Sequence, residues 1–535
     1  MRILLLFFLL FFHRSLSGQP TQTASRPSAQ TNSRAFVESP ITDYRPPSSA
    51  HRLLSHNRIS FRDPGSIVPD WRPFYHGVAS GDPLPDRVIL WTRVTPDTLE
   101  GQSIEVHWRL ALDTVLQEVI NSGVFVTGPE RDYTVKVDVD NLQPGTTYYY
   151  GFTAMDRHSL TGRTSTAPEG DMVDHLRFGV VSCSNYQAGY FNAYRRLAER
   201  SDLDAVIHLG DYIYEYADQV YGDPQLFEER ALLPQHEIVS LTDYRTRYAT
   251  YRLDTNLVRA HQQHPFIAVW DDHETANNAY KDGAQNHTPG VEGDWETRKA
   301  AGKQAYYEWM PIREQANGEV YRKLSYGDLL DLFLLDTRLT GREQQITNAE
   351  DPALQDTTRT ILGAAQREWL FENLTASSAR WRIMGQQVVL SELNAGWAAL
   401  ADTNFTFNGL ESLFLDSWDG YPAERSRLLS HLEKLPGRNT VVLTGDIHTA
   451  LAFEVADHPV VLRFQPIPGI GNVPLYSPSP IYDPVSGAGA VTVEMVAPSL
   501  TSANFDENFS TAMAAQLEAQ INRPIVPFPG FSLGN

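Results

Sequence analysis

Four apolar runs in this chain end in side chains able to hold a metal ion. "LRFGVVS" runs into Cys183 and Asn185, and "LDAVIHLG" runs into Asp211, Tyr212 and Tyr214. "HPFIAVW" runs into Asp271, Asp272, His273 and Glu274, and "NTVVLTG" into Asp446 and His448. One aspartate after a strand is ordinary, because Asp caps helices and opens turns. Cys, Tyr, His and repeated Asp after four strands are hard to assign to capping. Ligands of open α/β sheets bind beyond the carboxyl ends of the strands, so loops leaving four strands at one edge would converge. Packed there unpaired, the carboxylates would repel and raise each other's pKa values. A multivalent cation removes that cost. Thiolate and phenolate are anionic donors that suit a Lewis-acidic transition ion, with ferric iron the best match to Tyr plus Cys. Carboxylates, amides and carbonyls suit a hard ion such as calcium or magnesium. A mixed site is expected. Cys183 is the one cysteine of the chain. In an oxidising compartment a lone thiol must be buried or committed, so a small core side chain and a metal-bound thiolate are its two readings.

The elements that must position these residues change character along the chain. Residues 74–165 alternate or cluster β-formers ("DRVILWTRV", "IEVHWRLAL", "DYTVKVDV") between Pro, Gly and Asp, which predicts an all-β domain. The stretch Val137–Phe152, "VDVDNLQPGTTYYYGF", resembles the strand–corner–strand of fibronectin type III domains, where a tyrosine anchors the corner. A β-sandwich over 70–165 is expected, acting as a spacer or lid without chemistry. After the turn-rich "TGRTSTAPEGD", short apolar strands alternate with helical stretches such as "GYFNAYRRLAERS" and "ETRKAAGKQAYYEWM". That alternation predicts an α/β catalytic domain over 175–505, followed by a C-terminal helix and tail over 506–535.

The first residues carry Arg2, a short apolar run and then small polar residues, which predicts a signal peptide over 1–18. Residues 19–65 are rich in Pro, Ser, Thr, Gln and Arg and read as a mobile leader. No later stretch is long enough to span a bilayer. The expected location is secreted, extracellular or periplasmic. Net charge is −21, from 44 basic and 65 acidic residues, which disfavours a stable nucleic-acid complex or an anionic membrane face.

The segments "GVASGDPLPDRVILWTRV", "VVSCSNYQAGYFNAYRRLAER", "HLGDYIYEY", "AVWDDHETANN", "FLLDTR", "DSWDGYPAER" and "LTGDIHTA" resemble the PhoD family of alkaline phosphatases, within the calcineurin-like metallophosphoesterases. The similarity runs in consistent order from about residue 74 to 500. It implies an α+β/α/β chain: the N-terminal sandwich, a four-layer α/β/β/α core and a C-terminal helix near the site. It also implies one Fe3+ and one or two Ca2+. By resemblance, Cys183 sits where many metallophosphoesterases have their first Asp, Asp211 is the bridging carboxylate, and Tyr214 is the phenolate on iron. Asp272 takes the place of the usual Asn ligand beside Asp271 and His273, and Asp446 and His448 match the final ligand pair. Which of Asp271 and Asp272 touches metal stays open. The leader departs from the family's usual twin-arginine signal, since the apolar run separates Arg2 from Arg14. Export unfolded, with metal loading outside, is the simplest expectation; a misassigned start codon would also explain the leader. No His-rich segment lies between "DDHE" and "GDIH", so purple acid phosphatases are a poorer match.

The implied activity is hydrolysis of small phosphate mono- and diesters by metal-activated hydroxide in an in-line displacement. The alternatives are a restricted phosphodiesterase, phospholipase D-like or nuclease-like, and a binding module with an inactive core. His273 either protonates the leaving alkoxide or orients Asp272. Asn185 and Arg195 are expected at the substrate, although solvation is the commoner fate of a pair such as Arg195–Arg196. Trp418 and Tyr421 could wall a substrate or pack a core, and His208, inside a strand, is expected to be structural.

Overall fold

The strand "IEVHWRLA" shows how sequence becomes layer here. Ile104, Val106, Trp108 and Leu110 point inward while Glu105, His107 and Arg109 face solvent, the period of a half-buried strand. The computed structural model describes residues 68–96, 101–348, 351–392, 415–437, 439–467, 471–483 and 485–504, with single residues at 507, 511 and 515. The expected signal peptide and leader lie outside the described residues. So does most of the C-terminal tail, of which 507, 511 and 515 are helical.

Eight strands come first: β1 (Val78–Leu84), β2 (Arg87–Arg93), β3 (Ile104–Ala111), β4 (Val119–Thr127), β5 (Thr134–Val139), β6 (Thr147–Ala154), β7 (Arg157–His158) and β8 (Gly162–Ser165). Then follow β9 (Phe178–Val181), β10 (Ala205–His208), β11 (Pro265–Ala268), β12 (Arg322–Tyr326), β13 (Leu330–Leu334), β14 (Trp381–Gly385) and β15 (Thr440–Thr444). The last are β16 (Leu451–Val455), β17 (Val460–Ile467), β18 (Gly471–Pro478) and β19 (Thr492–Val496).

One six-stranded sheet has the order β5-β2-β1-β11-β10-β9, and a second the order β12-β13-β14-β15-β19-β16. A third runs β4-β3-β6-β7 with β8 on β6, and β17 pairs β18 as a hairpin. In the first sheet β1, β11, β10 and β9 are parallel neighbours; in the second, β13, β14, β15 and β19 are. The parallel strands β10 and β11 are buried on both faces, as "AVIH" and "PFIA" illustrate.

The N-terminal residues do not form a separate sheet system. β1, β2 and β5 extend the sheet of β9, β10 and β11, with Ser80 in register with Pro265. Residues of that extension (Val88, Leu90, Val135) share a buried cluster with Val106, Trp108, Tyr148 and Phe152 of the third sheet. The corner before β6 is tied by the Tyr148 hydroxyl, which accepts the Gln143 N–H at 2.9 Å. Along β13, Leu330, Leu332 and Leu334 join the cluster of the first sheet, whereas Phe333 joins Leu370, Leu428 and Leu432 of the helices Gly363–Ala376 and Pro422–Lys434. No helix among the described residues is long and apolar enough to cross a membrane.

Candidate metal centre

β9, β10 and β11 release their loops at one edge, and β13 and β15 release theirs at the parallel edge of the second sheet. The two edges meet: Ser182, just past β9, forms a parallel bridge with Ser499, just past β19. The turns are sharp. Cys183 (φ 58°), Asp211 (φ 55°), Asp446 (φ 67°) and His448 (φ 61°) all hold left-handed backbone, a region that costs non-glycine residues on the order of 1 kcal/mol or more. Gly210 (φ 112°) lets two loops touch, because a Cβ there would lie 2.4 Å from the Asp271 Cβ.

Three groups of ligand atoms result, each with its members within 4.8 Å of one another: Cys183 with Asp211 and His448, Asp211 with Asp272 and His273, and Asp271 with Asp272 and Asp446. Asp211 and Asp272 are shared between groups, so the three are contiguous. Tyr214 closes the first, its hydroxyl 3.1 Å from Asp211 Oδ2 and 3.3 Å from His448 Nε2. One oxygen of each of Asp211, Asp271 and Asp272 is buried with no hydrogen-bond partner among the described residues. An unpartnered buried carboxylate oxygen is expensive, and three aimed at one place fit a cation.

Without a cation, the electrostatics record the same demand. Burial pushes Asp211 and Asp271 well above the usual carboxylate range, and Asp446 up to about 7. Burial works to raise Asp272 as well, but Arg338 and His273 outweigh it and hold that carboxyl down at about 2. Burial lowers His448 to about 4, leaving a neutral ring whose Nδ1 is engaged by the Ala503 carbonyl at 3.0 Å and whose Nε2 points to the first group. Burial also raises the Cys183 thiol and the Tyr214 phenol well above their usual values, so either becomes an anionic donor only through a cation.

Several residues that hold the site carry little sequence signal. Arg338 follows β13 in "FLLDTR" and is fully buried among carboxylates. Its guanidinium donates to Asp271 at 2.5 Å, Asp446 at 2.7 Å and Asp416 at 2.8 Å, and lies 3.7 Å from Asp272. Glu274 is no ligand: it accepts the backbone N–H groups of Asp211, Tyr212 and Asp271 at 3.1, 2.6 and 2.8 Å, clamping two loops together. Glu215, also buried, accepts from His273 Nδ1 at 2.6 Å. Burial works against charge on His273, but Glu215, then Asp272 and Asp211, keep the ring protonated well above its ordinary pKa.

A strap from Ser499 to Ala503 crosses the cysteine loop. Leu500 N–H donates to Ser182 O at 3.0 Å, Thr501 Oγ1 to Asn185 O at 2.7 Å and Ser502 Oγ to Cys183 O at 3.1 Å. Ser502 Oγ also lies 2.6 Å from the Tyr214 hydroxyl.

Of the expected site residues, Cys183, Asp211, Tyr214, Asp271, Asp272, His273, Asp446 and His448 come together. Asn185 is beside them, but its amide is spent within the loops: Nδ2 donates to Tyr221 O at 3.2 Å and Oδ1 accepts from Gln187 N–H at 2.9 Å. Arg195 lies half-buried on the helix Asn192–Ala198 and, among the described residues, makes no contact with the clustered carboxylates. Arg196 is exposed and paired with Glu199 at 2.8 Å. Trp418 and Tyr421 are fully buried in the core around Leu428, with Trp418 Nε1 donating to Gln386. His208 is buried in β10 against Tyr194.

The family profile described as PhoD-like phosphatase matches residues 178–528, and that of the PhoD-like phosphatase N-terminal domain matches residues 66–168. The chain is 38% identical over 397 residues to alkaline phosphatase D of Bacillus subtilis (strain 168), covering 71% of this chain and 65% of that relative. A solved structure titled "Structure of PhoD" superposes with a TM-score of 0.69 at 35% identity, covering 80% of this chain and 78% of that one.

Proposed function

The chain belongs to the PhoD-like phosphatase family, and from that premise we propose that it is a secreted, metal-dependent alkaline phosphatase and phosphodiesterase acting on small phosphate mono- and diesters. We read its architecture as an N-terminal β-sandwich joined to a four-layer α/β/β/α core. The observation that carries the function is the convergence of a thiol, a phenol, two imidazoles and three partnerless carboxylate oxygens at the meeting edge of two sheets. Cys183, Tyr214, His448 and Asp211 form a donor set suited to one ferric ion. The carboxylates of Asp271, Asp272 and Asp446, with Asp211 shared, suit one or two calcium ions.

Ions bound there would supply Lewis acidity toward a phosphoryl oxygen and acidify an attacking water. His273 contributes the proton. Its Nδ1 is bonded to Glu215, and the ring has a nitrogen within 4.8 Å of Asp211 and Asp272 oxygens, a place from which a protonated ring can donate to the departing oxygen. Arg338 offsets the charge of Asp271, Asp446 and Asp416, so that carboxylates can crowd a site in a strongly acidic protein. The leader read at residues 1–18 supports export.

The test is elemental analysis of the purified protein together with turnover of a monoester and a diester. Protein holding iron and calcium and releasing phosphate is the expected result. Protein that retains neither ion after loading, and hydrolyses neither ester, overturns the reading.

A further inference from the structure

Four rings stand together at the rim of the metal centre. Tyr214 and His273 form the inner pair, with centroids 4.3 Å apart. Tyr216 and Tyr221 form the outer pair at 5.3 Å, with Tyr216 5.4 Å from His273 and Tyr221 5.6 Å from Tyr214. The inner rings are buried; the outer ones are half-buried and carry phenol groups with no hydrogen-bond partner among the described residues. The hydroxyls of the buried Tyr194, Tyr212 and Tyr244 are bonded to His208, His261 and the Thr275 carbonyl, while those of the buried Tyr248, Tyr306 and Tyr326 have no partner among the described residues. What sets Tyr216 and Tyr221 apart is their partial exposure at the rim.

The outer rings are also held in place. Asn185 donates to the Tyr221 carbonyl, and Gln187 grips Asp218 and the Gln219 N–H at 2.8 and 2.9 Å. Arg247 Nη1 donates to the Tyr216 carbonyl at 2.9 Å. The loop bearing the two rings is therefore fastened to the loop that follows Cys183. Tyr216, partly exposed beside His273, and Tyr221, partly exposed beside Tyr214, border the metal centre where a leaving group can sit.

We propose that Tyr216 and Tyr221 form a leaving-group subsite that favours phosphate esters whose departing alcohol carries a planar aromatic ring. This rests on the phosphatase reading and adds a substrate class to it. Stacking on the two rings holds such a group, and their phenols offer hydrogen bonds at its edge. It also gives Asn185 a role other than touching phosphate, that of positioning Tyr221.

The test compares kcat/KM for phenyl phosphate, a nucleoside 5′-monophosphate and glycerol phosphate in wild type, Tyr216→Leu, Tyr221→Leu and Tyr216→Phe, each with its metal content and melting temperature measured. Intrinsic reactivity cancels when each aromatic-to-glycerol ratio is compared with that of the wild type. The ratio should fall about fivefold or more in either Leu variant, and Tyr216→Phe, which keeps the ring, should restore most of it. A fall for the phenyl ester alone supports a small aryl subsite; a fall for both supports one that also admits nucleobases. Ratios within about twofold of wild type for both esters, in variants with native metal content, overturn the subsite. Should one Leu variant misfold, the other decides the matter. Metal-loaded wild type that turns over none of the three overturns the phosphatase reading instead.

Discussion

Cys183 sits in left-handed backbone, buried, within 4.8 Å of ligand atoms of Asp211 and His448. Replacing it separates packing from ligation. As a packed side chain alone, Cys183→Ser would cost about 1–2 kcal/mol with metal retained. As a ligand, its loss should collapse iron occupancy and turnover together, and Cys183→Asp should recover part of both by restoring an anionic donor. Iron per protein in the two variants is the deciding measurement. Arg338 allows a sharper prediction, because it is the buried cation facing Asp271, Asp446 and Asp416. Arg338→Met should lower the stability of the metal-stripped protein by about 3–5 kcal/mol, the usual cost of leaving buried charge unpaired. Added calcium should return part of that loss, as read by denaturant midpoints with and without the ion. The ligand types were legible in the sequence because Cys, Tyr and Asp-x-His are unusual strand endings. Arg338 was not, since one arginine after a strand looks like any solvated arginine, and Ser502 offers no pattern at all.

β10 is short, apolar and buried on both faces, and His208 closes it. Its Nδ1 accepts from Gly210 N–H at 3.3 Å and its Nε2 meets the Tyr194 hydroxyl at 2.9 Å, so the strand end requires a neutral ring. Burial lowers His208 to about 3 from an ordinary value of 6.5. The unfolded chain then binds this proton more readily, so stability is complete above pH 6.5 and drains away as pH falls toward 3. Between pH 7 and pH 5 the loss should be about 2 kcal/mol. Comparing wild type with His208→Gln by chemical denaturation at both values isolates it, because carboxylates acidify alike in both. Equal losses would remove the role. The parallel strands were legible as elements because buried runs punctuated by Gly and Asp have few other uses. The joining of β1 to β11 was not, because no local pattern announces that residue 80 will lie beside residue 265. Reading strands without their partners leaves that junction out of view.

Across the whole molecule the excess of acidic residues gives bound cations a part in the charge balance. With a net charge of −21, removing a cation such as the proposed calcium from the centre would add repulsion where burial already opposes it. A calcium chelator should therefore abolish turnover while most iron stays bound, and should lower the melting temperature. Re-added calcium should restore both, with about 2.7 kcal/mol of stabilisation at a hundredfold excess over Kd. Activity that survives verified calcium removal would eliminate the mixed centre. The strap from Ser499 to Ala503 sets a timetable as well. Every described strand of both large sheets lies before residue 497, while the strap's own contacts to Cys183, Tyr214 and His448 arrive only with residues 499–503. A chain emerging amino end first can pair its strands and still present an unlatched centre. The strap can therefore latch the centre only after the strands it fastens are in place.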